Sequence, residues 1–463
     1  MTSHSQPFQP RIFRPDVLAP NPEARRPILQ ILEAALDAVD PHRAVTAHLR
    51  RESGLLQVAD GRYVLDSYRR VLVLGAGKAG APMAQAVESV LGDRIAQGLV
   101  VVKEGYTAPT EQVTLVEAGH PVPDERGVAA GRRILALAQD AGPDDLVLVL
   151  LSGGGSALLV APAPGLSLAD LQAMNRLLLA CGATIQEINA LRKHCSAVKG
   201  GQLARALHPA TVITLVLSDV VGSPLDVIAS GPTVPDPSTW ADAWAVVERY
   251  ELADRLPPAI RARLQAGLQG QIPDTPKPGD PVFQTVRTVI VGENRMAALA
   301  ALAEAEKLGY QALLLTTFLE GEAREVGGFL AGLGKEVRAS GHPLTPPACL
   351  ILGGESTVTL GNAPGKGGRN QEAALAAALA LQGVPGIHVA CLATDGTDGP
   401  TDGAGGLVDG STLARGRALG LDGEAHLRRH DAYPFLAAVK DLLVTGPTRT
   451  NVNDLLLVLV ERT

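Results

Sequence analysis

Short runs of apolar residues alternate with segments of helical periodicity along most of the chain. Runs such as residues 146–151 and 211–217 contain few polar side chains, which predicts strands buried on both faces of a parallel sheet. Segments such as residues 125–139 repeat apolar residues at three- and four-residue spacing, which predicts helices. We therefore expect an α/β fold of two lobes, with a Rossmann-like parallel sheet covered by helices, a smaller α/β domain, and an active-site cleft between them.

Proline and polar residues suggest where the lobes begin and end. Residues 1–24 predict a loose N-terminal arm, and residues 25–270 predict the larger domain. Residues 271–284 are rich in proline and predict a linker. Residues 285–463 then predict the smaller domain, and the apolar run near 455–460 predicts a final strand. Whether that strand returns to the first lobe stays open.

Composition excludes several classes of protein. The chain has 463 residues, of which 46% are hydrophobic and 19% charged, so it can bury large cores. A formal net charge of −7 argues against nucleic acid as a partner. No run approaches eighteen apolar residues, and the four cysteines are scattered without metal-like spacing. We expect a soluble cytoplasmic protein with no membrane partner, and the sequence is compatible with a homodimer.

A glycine-rich turn follows the first apolar run. The sequence Gly75-Ala-Gly77-Lys78-Ala-Gly80 has the spacing of a dinucleotide-binding turn, and Glu104 after the next strand suits a ribose. Lys78 favours phosphate binding more directly, because its charge is aimed where an anion would lie. A tight turn that serves packing alone remains the third interpretation.

A second glycine-rich loop follows the apolar run at 146–151. Ser152, Gly153, Gly154, Gly155 and Ser156 place backbone N–H groups and two hydroxyls in one loop. Such a loop suits an anion, since three glycines without a binding role are costly in backbone entropy. The chain has no Walker A sequence, which excludes a P-loop kinase.

Charged residues elsewhere in the larger domain are weaker candidates. The cationic segment around His194 and Lys199 suits an anionic substrate, or equally a solvated helix face. Asp219 ends an apolar strand and suits a base or a metal ligand, or a simple turn. His120 suits substrate contact or a conformational turn.

Two further motifs lie in the smaller domain. Glu355 follows an apolar run, and a glycine-rich segment then leads to Arg369 and Asn370 at a predicted helix start. Arginine at such a position binds phosphate or carboxylate bidentately. Asp395, Asp398 and Asp402 lie among glycines after another strand. They suit a Mg²⁺ ion, or a loop stabilised by Asx-turns.

In this order the motifs resemble those of the type 2 glycerate kinases, from about residue 25 to the end of the chain. The motifs that carry the resemblance are GAGKAG, GHPVPD, LSGGGSALL, RKHCSAVKGG, LSDVVGSPLDVIASGPT, GGESTVTL, GKGGRNQE and ATDGTDGPTDGAG. The last three mark the family's C-terminal MOFRL domain. Two departures are Cys195, where the family usually has Leu, and Ser223, where Asp is common.

The resemblance implies an ATP- and Mg²⁺-dependent enzyme that phosphorylates D-glycerate on O2. It implies catalytic roles for Lys78 and Arg369, to which we add Asp219 as a base. Asp398 and Asp402 are the metal ligands expected on this interpretation. The residues expected to bind substrate or nucleotide are Gly75, Gly77, His120, Ser152, Gly153, Gly154, Gly155, Ser156, Lys199, Glu355, Asn370 and Asp395. The alternatives are an NAD(P)H-dependent hydroxypyruvate reductase and a non-catalytic sensor of a phosphorylated metabolite.

Overall fold

A computed structural model of the chain describes residues 9–361 and 365–462. The described residues form two compact units. We call residues 41–291 the central unit, and residues 9–40 together with 292–462 the C-terminal unit. Within the described residues, no helix combines the length and the apolar character that a membrane span requires.

Helices and strands alternate along the chain, as the periodicity predicts. The α-helices of the described residues are α1 Pro22–Ala38, α2 Pro41–His48, α3 Gly80–Leu91, α4 Glu125–Gln139, α5 Gly155–Leu158, α6 Leu168–Ala180, α7 Ile185–His194, α8 Gln202–Leu207, α9 Trp240–Arg249, α10 Pro258–Leu268, α11 Asn294–Lys307, α12 Ala323–Ser340, α13 Arg369–Ala380, α14 Thr412–Ala418, α15 Gly423–Arg428 and α16 Ala432–Ala438. The strands are β1 Leu49–Glu52, β2 Leu55–Val58, β3 Gly61–Val64, β4 Arg70–Ala76, β5 Ile95–Lys103, β6 Val113–Ala118, β7 Asp145–Ser152, β8 Thr211–Leu217, β9 Val286–Gly292, β10 Gln311–Leu319, β11 Ala348–Gly354, β12 Ile387–Ala393, β13 Gly405–Asp409, β14 Leu442–Leu443 and β15 Asp454–Val460. Short 3₁₀ helices lie at Pro15–Leu18, Leu65–Ser67, Gly92–Arg94, Ile228–Ser230 and Pro281–Phe283.

The central unit is built on a six-stranded sheet of order β6-β5-β4-β7-β8-β9. Strands β4 to β8 pair in parallel, as predicted. Every residue of β7 is buried, which explains why its sequence is apolar without alternation. Because the strands run in parallel, the loops after β4, β7 and β8 all lie at one edge of the sheet.

The helices beside this edge begin at well-defined caps. The Asp124 side chain accepts a hydrogen bond from the Gly127 N–H at the start of α4. Capping boxes begin α6 at Ser167 and α7 at Thr184. These caps fix where α6 and α7 begin, and both helices contribute residues to the site described below.

The C-terminal unit contains a mixed sheet of order β10-β11-β15-β12-β13-β14. The final strand, β15, lies antiparallel between β11 and β12. The open question about this strand is therefore answered, because β15 completes the sheet of its own unit. Its start lies beside the ends of β11 and β12, with Asp454 opposite Gly354 and Ala393.

The compact units differ from the predicted domain boundaries at both junctions. Helix α1 packs against α11 and belongs to the C-terminal unit. Strand β9 joins the sheet of the central unit, so the division follows it rather than preceding it. The proline-rich segment 271–284 packs within the central unit, where Thr275 is buried and Asp274 lies 2.8 Å from His194 Nε2. Both differences arise from contacts between distant residues, which periodicity does not report.

Candidate active site

The two glycine-rich loops of the central unit pack directly against each other. The Lys78 N–H donates to the Gly153 carbonyl at 2.8 Å, and the Ala79 N–H donates to Ser152 Oγ at 3.0 Å. A Cβ atom at Gly77, whose φ is +148°, would lie 2.0 Å from Ser152 Oγ. Glycine is required there because the neighbouring loop occupies the space of a side chain. The packing holds Lys78 at the edge of the parallel sheet.

Glycines of the second loop bring three predicted site residues together. Gly154 has φ of +80°, and a Cβ there would lie 2.9 Å from His120 Cδ2 and 3.3 Å from Lys78 Cγ. A Cβ at Gly153 would lie 2.2 Å from Asp219 Oδ2. The loop backbone is therefore lined by a cation, an imidazole and a carboxylate. Such a set can bind an anion and accept a proton from a hydroxyl.

Ser156 and Lys199 are also in contact, as part of a buried polar network. Lys199 Nζ donates to the Ser156 carbonyl at 2.6 Å and lies 3.3 Å from its Oγ. Ser156 Oγ also contacts Ser230 Oγ, which donates to Asn189 Oδ1 at 3.1 Å. The network fixes the Lys199 ammonium beside the glycine loop.

A cavity of about 330 Å³ opens beside this loop within the central unit. Gly154, Ser156, His120 and Lys199 line it together with residues of α6 and α7. Most of the remaining wall is apolar, as is usual for a small-molecule site with a few polar anchors. The apolar lining residues include Val122, Val160, Leu171, Met174 and Leu179.

Burial and neighbouring cations perturb two titratable groups here. Burial, assisted by Lys78 and Lys103, lowers the pKa of His120 to about 4, so its imidazole is neutral at physiological pH. Burial, assisted by Arg192, lowers the pKa of Lys199 to about 7. Perturbed groups that share a cavity are typical of functional sites.

Other residues of the cationic segment have structural partners. Lys193 Nζ pairs with Asp226 and Asp236, each at 3.1 Å. His194 lies against Asp274, and Cys195 is fully buried, with its pKa raised to about 12 by burial. The departure at Cys195 therefore places a small apolar side chain in the core.

A second group of predicted residues surrounds Arg369 in the C-terminal unit. Arg369 Nε and Nη2 donate to the two Asp454 oxygens at 2.7 and 3.0 Å, and Nη1 donates to Glu355 Oε1 at 2.7 Å. Asn370 Nδ2 donates to Asp454 Oδ1 at 2.8 Å, and Asn453 Nδ2 donates to Glu355 Oε2 at 2.8 Å. The side chain of Arg369 keeps 30% of its surface exposed, so the guanidinium is positioned but still accessible.

The antiparallel course of β15 explains this cluster. Glu355 follows the end of β11, whereas Asp454 begins β15 at the same edge of the sheet. Burial lowers the pKa of Arg369, but Asp454 and Glu355 outweigh that effect and raise it. Burial raises the pKa of Asp454 despite the adjacent Arg369.

The predicted metal ligands have other roles in the structure. Asp398 accepts hydrogen bonds from the Asn370 and Gln371 N–H groups at 3.2 and 2.8 Å, and so caps helix α13. Asp402 accepts from the Tyr433 hydroxyl at 2.5 Å. Among the residues 9–361 and 365–462, no group of three or more histidine, cysteine or acidic side chains is arranged to hold a metal ion. The donor set therefore does not fit a Mg²⁺ ion held by Asp398 and Asp402.

The Asp395 side chain stabilises its own loop, which is the alternative to a metal site that the sequence left open. Its Oδ1 accepts hydrogen bonds from the Thr397 N–H at 3.0 Å and from Thr397 Oγ1 at 3.2 Å, which is an Asx-turn. The turn leaves the carboxylate partly exposed at the end of β12.

Asp454 was missed in the sequence, and Arg192 was identified only as one member of a cationic segment. Asp454 is the main partner of Arg369, and its only signal is one carboxylate at the start of an apolar run. Arg192 lines the cavity of the central unit, but charge clustering alone did not separate it from its paired neighbour Lys193.

The glycine and the acidic residue that suggested a dinucleotide site, Gly75 and Glu104, have other roles in the structure. A Cβ at Gly75 would lie 2.3 Å from the Leu150 carbonyl oxygen, so this glycine permits close strand packing. Glu104 is exposed and pairs with Arg126 at 2.9 Å. Neither observation favours the reductase alternative.

Comparison with known proteins supplies the family context. Residues 27–265 match the family described as "Domain of unknown function (DUF4147)", and residues 348–454 match the MOFRL family. A glycerate 2-kinase from Pyrococcus horikoshii is 41% identical over 432 residues, which cover 93% of this chain and 96% of the relative. A putative hydroxypyruvate reductase from Agrobacterium vitis is 45% identical over 439 residues, which cover 94% of each chain. The crystal structure of a glycerate kinase from Thermotoga maritima is 42% identical, with a TM-score of 0.85, and covers 95% of this chain and 100% of that one.

Proposed function

The chain belongs to the glycerate 2-kinase family that carries a MOFRL domain, and from this premise we propose the reaction and the roles of its residues. The reaction is transfer of the γ-phosphoryl group of ATP to the O2 hydroxyl of D-glycerate, with release of 2-phosphoglycerate and ADP. The observation that carries the proposal is the convergence of Lys78, His120 and Asp219 on the 153–154 backbone. These groups are of the kinds that phosphoryl transfer needs.

In the proposed mechanism, Lys78 and the backbone of the 153–155 loop bind phosphoryl oxygens. Asp219 accepts the proton of the O2 hydroxyl as that oxygen forms its bond to phosphorus and the bond to ADP breaks. His120, which is neutral because its pKa is about 4, donates or accepts a hydrogen bond without adding charge. Stabilisation of charge by positioned donors accounts for most of the rate enhancement in such reactions.

Arg369 is proposed to contact a phosphoryl oxygen through the donors that Asp454 and Glu355 leave exposed. Because two carboxylates neutralise its charge, Arg369 contributes directed hydrogen bonds rather than net positive potential. Asp454 is a positioning residue, since it acts through the guanidinium.

Mg²⁺ is proposed to enter as part of the Mg·ATP substrate. This assignment follows from the poor fit of Asp398 and Asp402 to a resident ion. The homodimer and the cytoplasmic location expected from the sequence stay predictions.

The test is to incubate the protein with D-glycerate and Mg·ATP, without a nicotinamide cofactor, and to follow the products by ³¹P NMR. A 2-phosphoglycerate signal is expected, and the Lys78→Ala variant should lower kcat by about 10²- to 10³-fold. A 3-phosphoglycerate signal would keep the kinase and reject the O2 assignment. Oxidation of NADH with hydroxypyruvate, without a phosphorylated product, would reject the kinase in favour of the reductase.

A further inference from the structure

Three cations line the cavity of the central unit. Arg176 is exposed, whereas Arg192 and Lys199 are partly or fully buried without a carboxylate partner among the described residues. Lys199 is buried, and its hydrogen bonds go to the carbonyl and hydroxyl oxygens of Ser156. Arg192 is partly buried on α7, and its Nε donates to Asn175 Oδ1 at 2.8 Å. All of these acceptors are neutral. The terminal nitrogens of Arg192 and the third donor of Lys199 are therefore available to a ligand in the cavity.

Lys193, the residue after Arg192, is a buried cation whose charge is compensated by carboxylates of the protein itself. Lys193 is 3% exposed and pairs with both Asp226 and Asp236. Burying a cation without such a partner is costly. The contrast with Lys193 indicates that the partner of Arg192 and Lys199 is an anion that arrives from solution.

We propose that Arg192 and Lys199 together bind the carboxylate of D-glycerate in this cavity, an assignment that rests on the proposed function. The proposed mechanism gives Arg192 no role, and the sequence places it only within a cationic segment that suits either an anionic substrate or a solvated helix face. An arginine whose Nε is fixed by Asn175 presents its two terminal nitrogens side by side, which matches the two oxygens of a carboxylate. Lys199 supplies a second donor to the same group.

The surroundings favour a carboxylate over a nucleotide phosphate. Ser156 and Gly154 belong to one loop, and both line the cavity. Lys199 is held by Ser156, whereas Gly154 lies against Lys78. A small acid bound by its carboxylate at Lys199 would direct its hydroxyl along this loop toward Lys78. The apolar walls contributed by α6 suit a carbon skeleton better than a hydrated triphosphate.

Because Lys199 is one of the two proposed ligands of the carboxylate, the KM for D-glycerate should depend on pH. The pKa of Lys199 is lowered to about 7, so the ammonium loses its proton in the free enzyme as pH rises above that value. The charged and titratable groups that line the cavity with it are Arg192 on α7, Arg176 on α6 and His120. Burial lowers the pKa of His120 to about 4, so its imidazole stays neutral across this range. KM for D-glycerate should therefore rise above pH 7, by up to about tenfold per pH unit, and this rise should vanish in Lys199→Met.

The experiment measures D-glycerate binding by calorimetry, with and without a non-hydrolysable ATP analogue, and ADP binding separately. Arg192→Gln and Lys199→Met should weaken D-glycerate binding by about 10- to 100-fold and leave ADP affinity unchanged. Arg192→Lys should give an intermediate loss, and it keeps the test available if Arg192→Gln fails to fold. Arg133→Gln removes an exposed arginine of α4 and serves as the matched control.

The outcomes separate this assignment from the proposed function. Weaker ADP binding with unchanged D-glycerate binding would show that the two cations hold a nucleotide phosphate, which overturns the proposal. Unchanged affinity for both ligands, or no D-glycerate binding by the unmodified protein, would overturn it as well. If the unmodified protein binds D-glycerate through these residues but does not phosphorylate it, the carboxylate assignment stands and the kinase proposal fails.

Discussion

At the scale of single residues, the proposed role of Arg369 depends more on the geometry of its guanidinium group than on its positive charge. Three of its nitrogens are committed to Asp454 and Glu355, so the directions of its remaining donors are fixed by the fold. A lysine at this position carries the same charge but has neither the planar shape nor the bidentate reach.

We therefore expect Arg369→Lys to be nearly as damaging as Arg369→Ala. Both should lower kcat by about 10²- to 10³-fold, measured by coupled ADP release. Arg428→Lys, at an exposed arginine of α15, is the control. Near-normal kcat in Arg369→Lys would mean that positive charge alone is sufficient, and would reject the geometric role.

The predicted site residues that the structure places close together in the central unit share one property. Lys78, Ser152 and Asp219 follow or end parallel strands, and the edge at which such strands end is known from their direction alone. Asp454 was missed because it begins an antiparallel strand. Its place beside Glu355 depends on a pairing across about a hundred residues, which no local pattern encodes.

At the scale of elements, helix α13 begins at a cap supplied from outside its own segment. The residue before the helix, Gly368, has no side chain, and Asp398 accepts from the first N–H groups instead. Burial raises the pKa of Asp398 to about 7, and Asp454 adds to this effect. The Asp398 carboxyl thus caps the helix from a buried position that disfavours its ionised form.

The stability contributed by Asp398 should fall as pH rises from about 4 to about 7. In that interval the folded protein holds a proton that the unfolded chain, with its ordinary pKa, has lost. Asp398→Asn should flatten the dependence of unfolding free energy on pH by up to about 4 kcal/mol, because three pKa units correspond to that amount. The substitution also alters the hydrogen bonds of the cap, and any unfolding free energy lost in this way should be the same at every pH.

Urea unfolding at several pH values checks this expectation. Asp402→Asn is the control, because Asp402 is exposed and its pKa is lowered by the Tyr433 hydroxyl. Parallel profiles for the unmodified protein and Asp398→Asn would contradict the protonated cap. If both variants instead raised the Mg²⁺ requirement equally, the metal interpretation of the two aspartates would return.

Periodicity predicts long elements well and short ones poorly. Helix α4 and strand β8 have the predicted bounds, since each repeats its pattern over several turns or residues. The antiparallel sheet β1-β2-β3 was not predicted, because each strand has four residues. The residues between β2 and β3 are Ala59 and Asp60, and Gly61 begins β3 opposite Val58. Asp60 followed by Gly61 is a turn signal in the sequence.

At the scale of the whole molecule, the C-terminal unit is discontinuous in sequence. It needs helix α1, whose apolar face packs against α11 almost three hundred residues later. Arg25 of α1 is fully buried and pairs with Asp441 at 2.6 Å and Asp409 at 3.1 Å. This partner of α1, helix α11, was beyond sequence reasoning, because amphipathicity identifies a buried face and not what covers it.

Arg25→Met should therefore destabilise the C-terminal unit although the residue lies near the start of the chain. Removing one member of a buried ion pair costs about 3–5 kcal/mol. The lower end applies here, because Arg415 still pairs with Asp409 and Asp441. Hydrogen exchange should accelerate in peptides from α11 and β13, while peptides from β4 and β7 should keep their protection.

The neighbouring Arg26 supplies the matched control, since it lies on the same helix and is exposed. Arg26→Met should shift stability by no more than about 0.5 kcal/mol. Equal protection of α11 and β13 in the two variants would reject the role of Arg25.

A chain beginning at residue 41 should lose more stability in the C-terminal unit than Arg25→Met does, because it lacks the apolar face of α1 as well as the ion pair. If that shortened chain kept normal protection in α11, the N-terminal helix would be dispensable, and the C-terminal unit would fold from residues 292–463 alone.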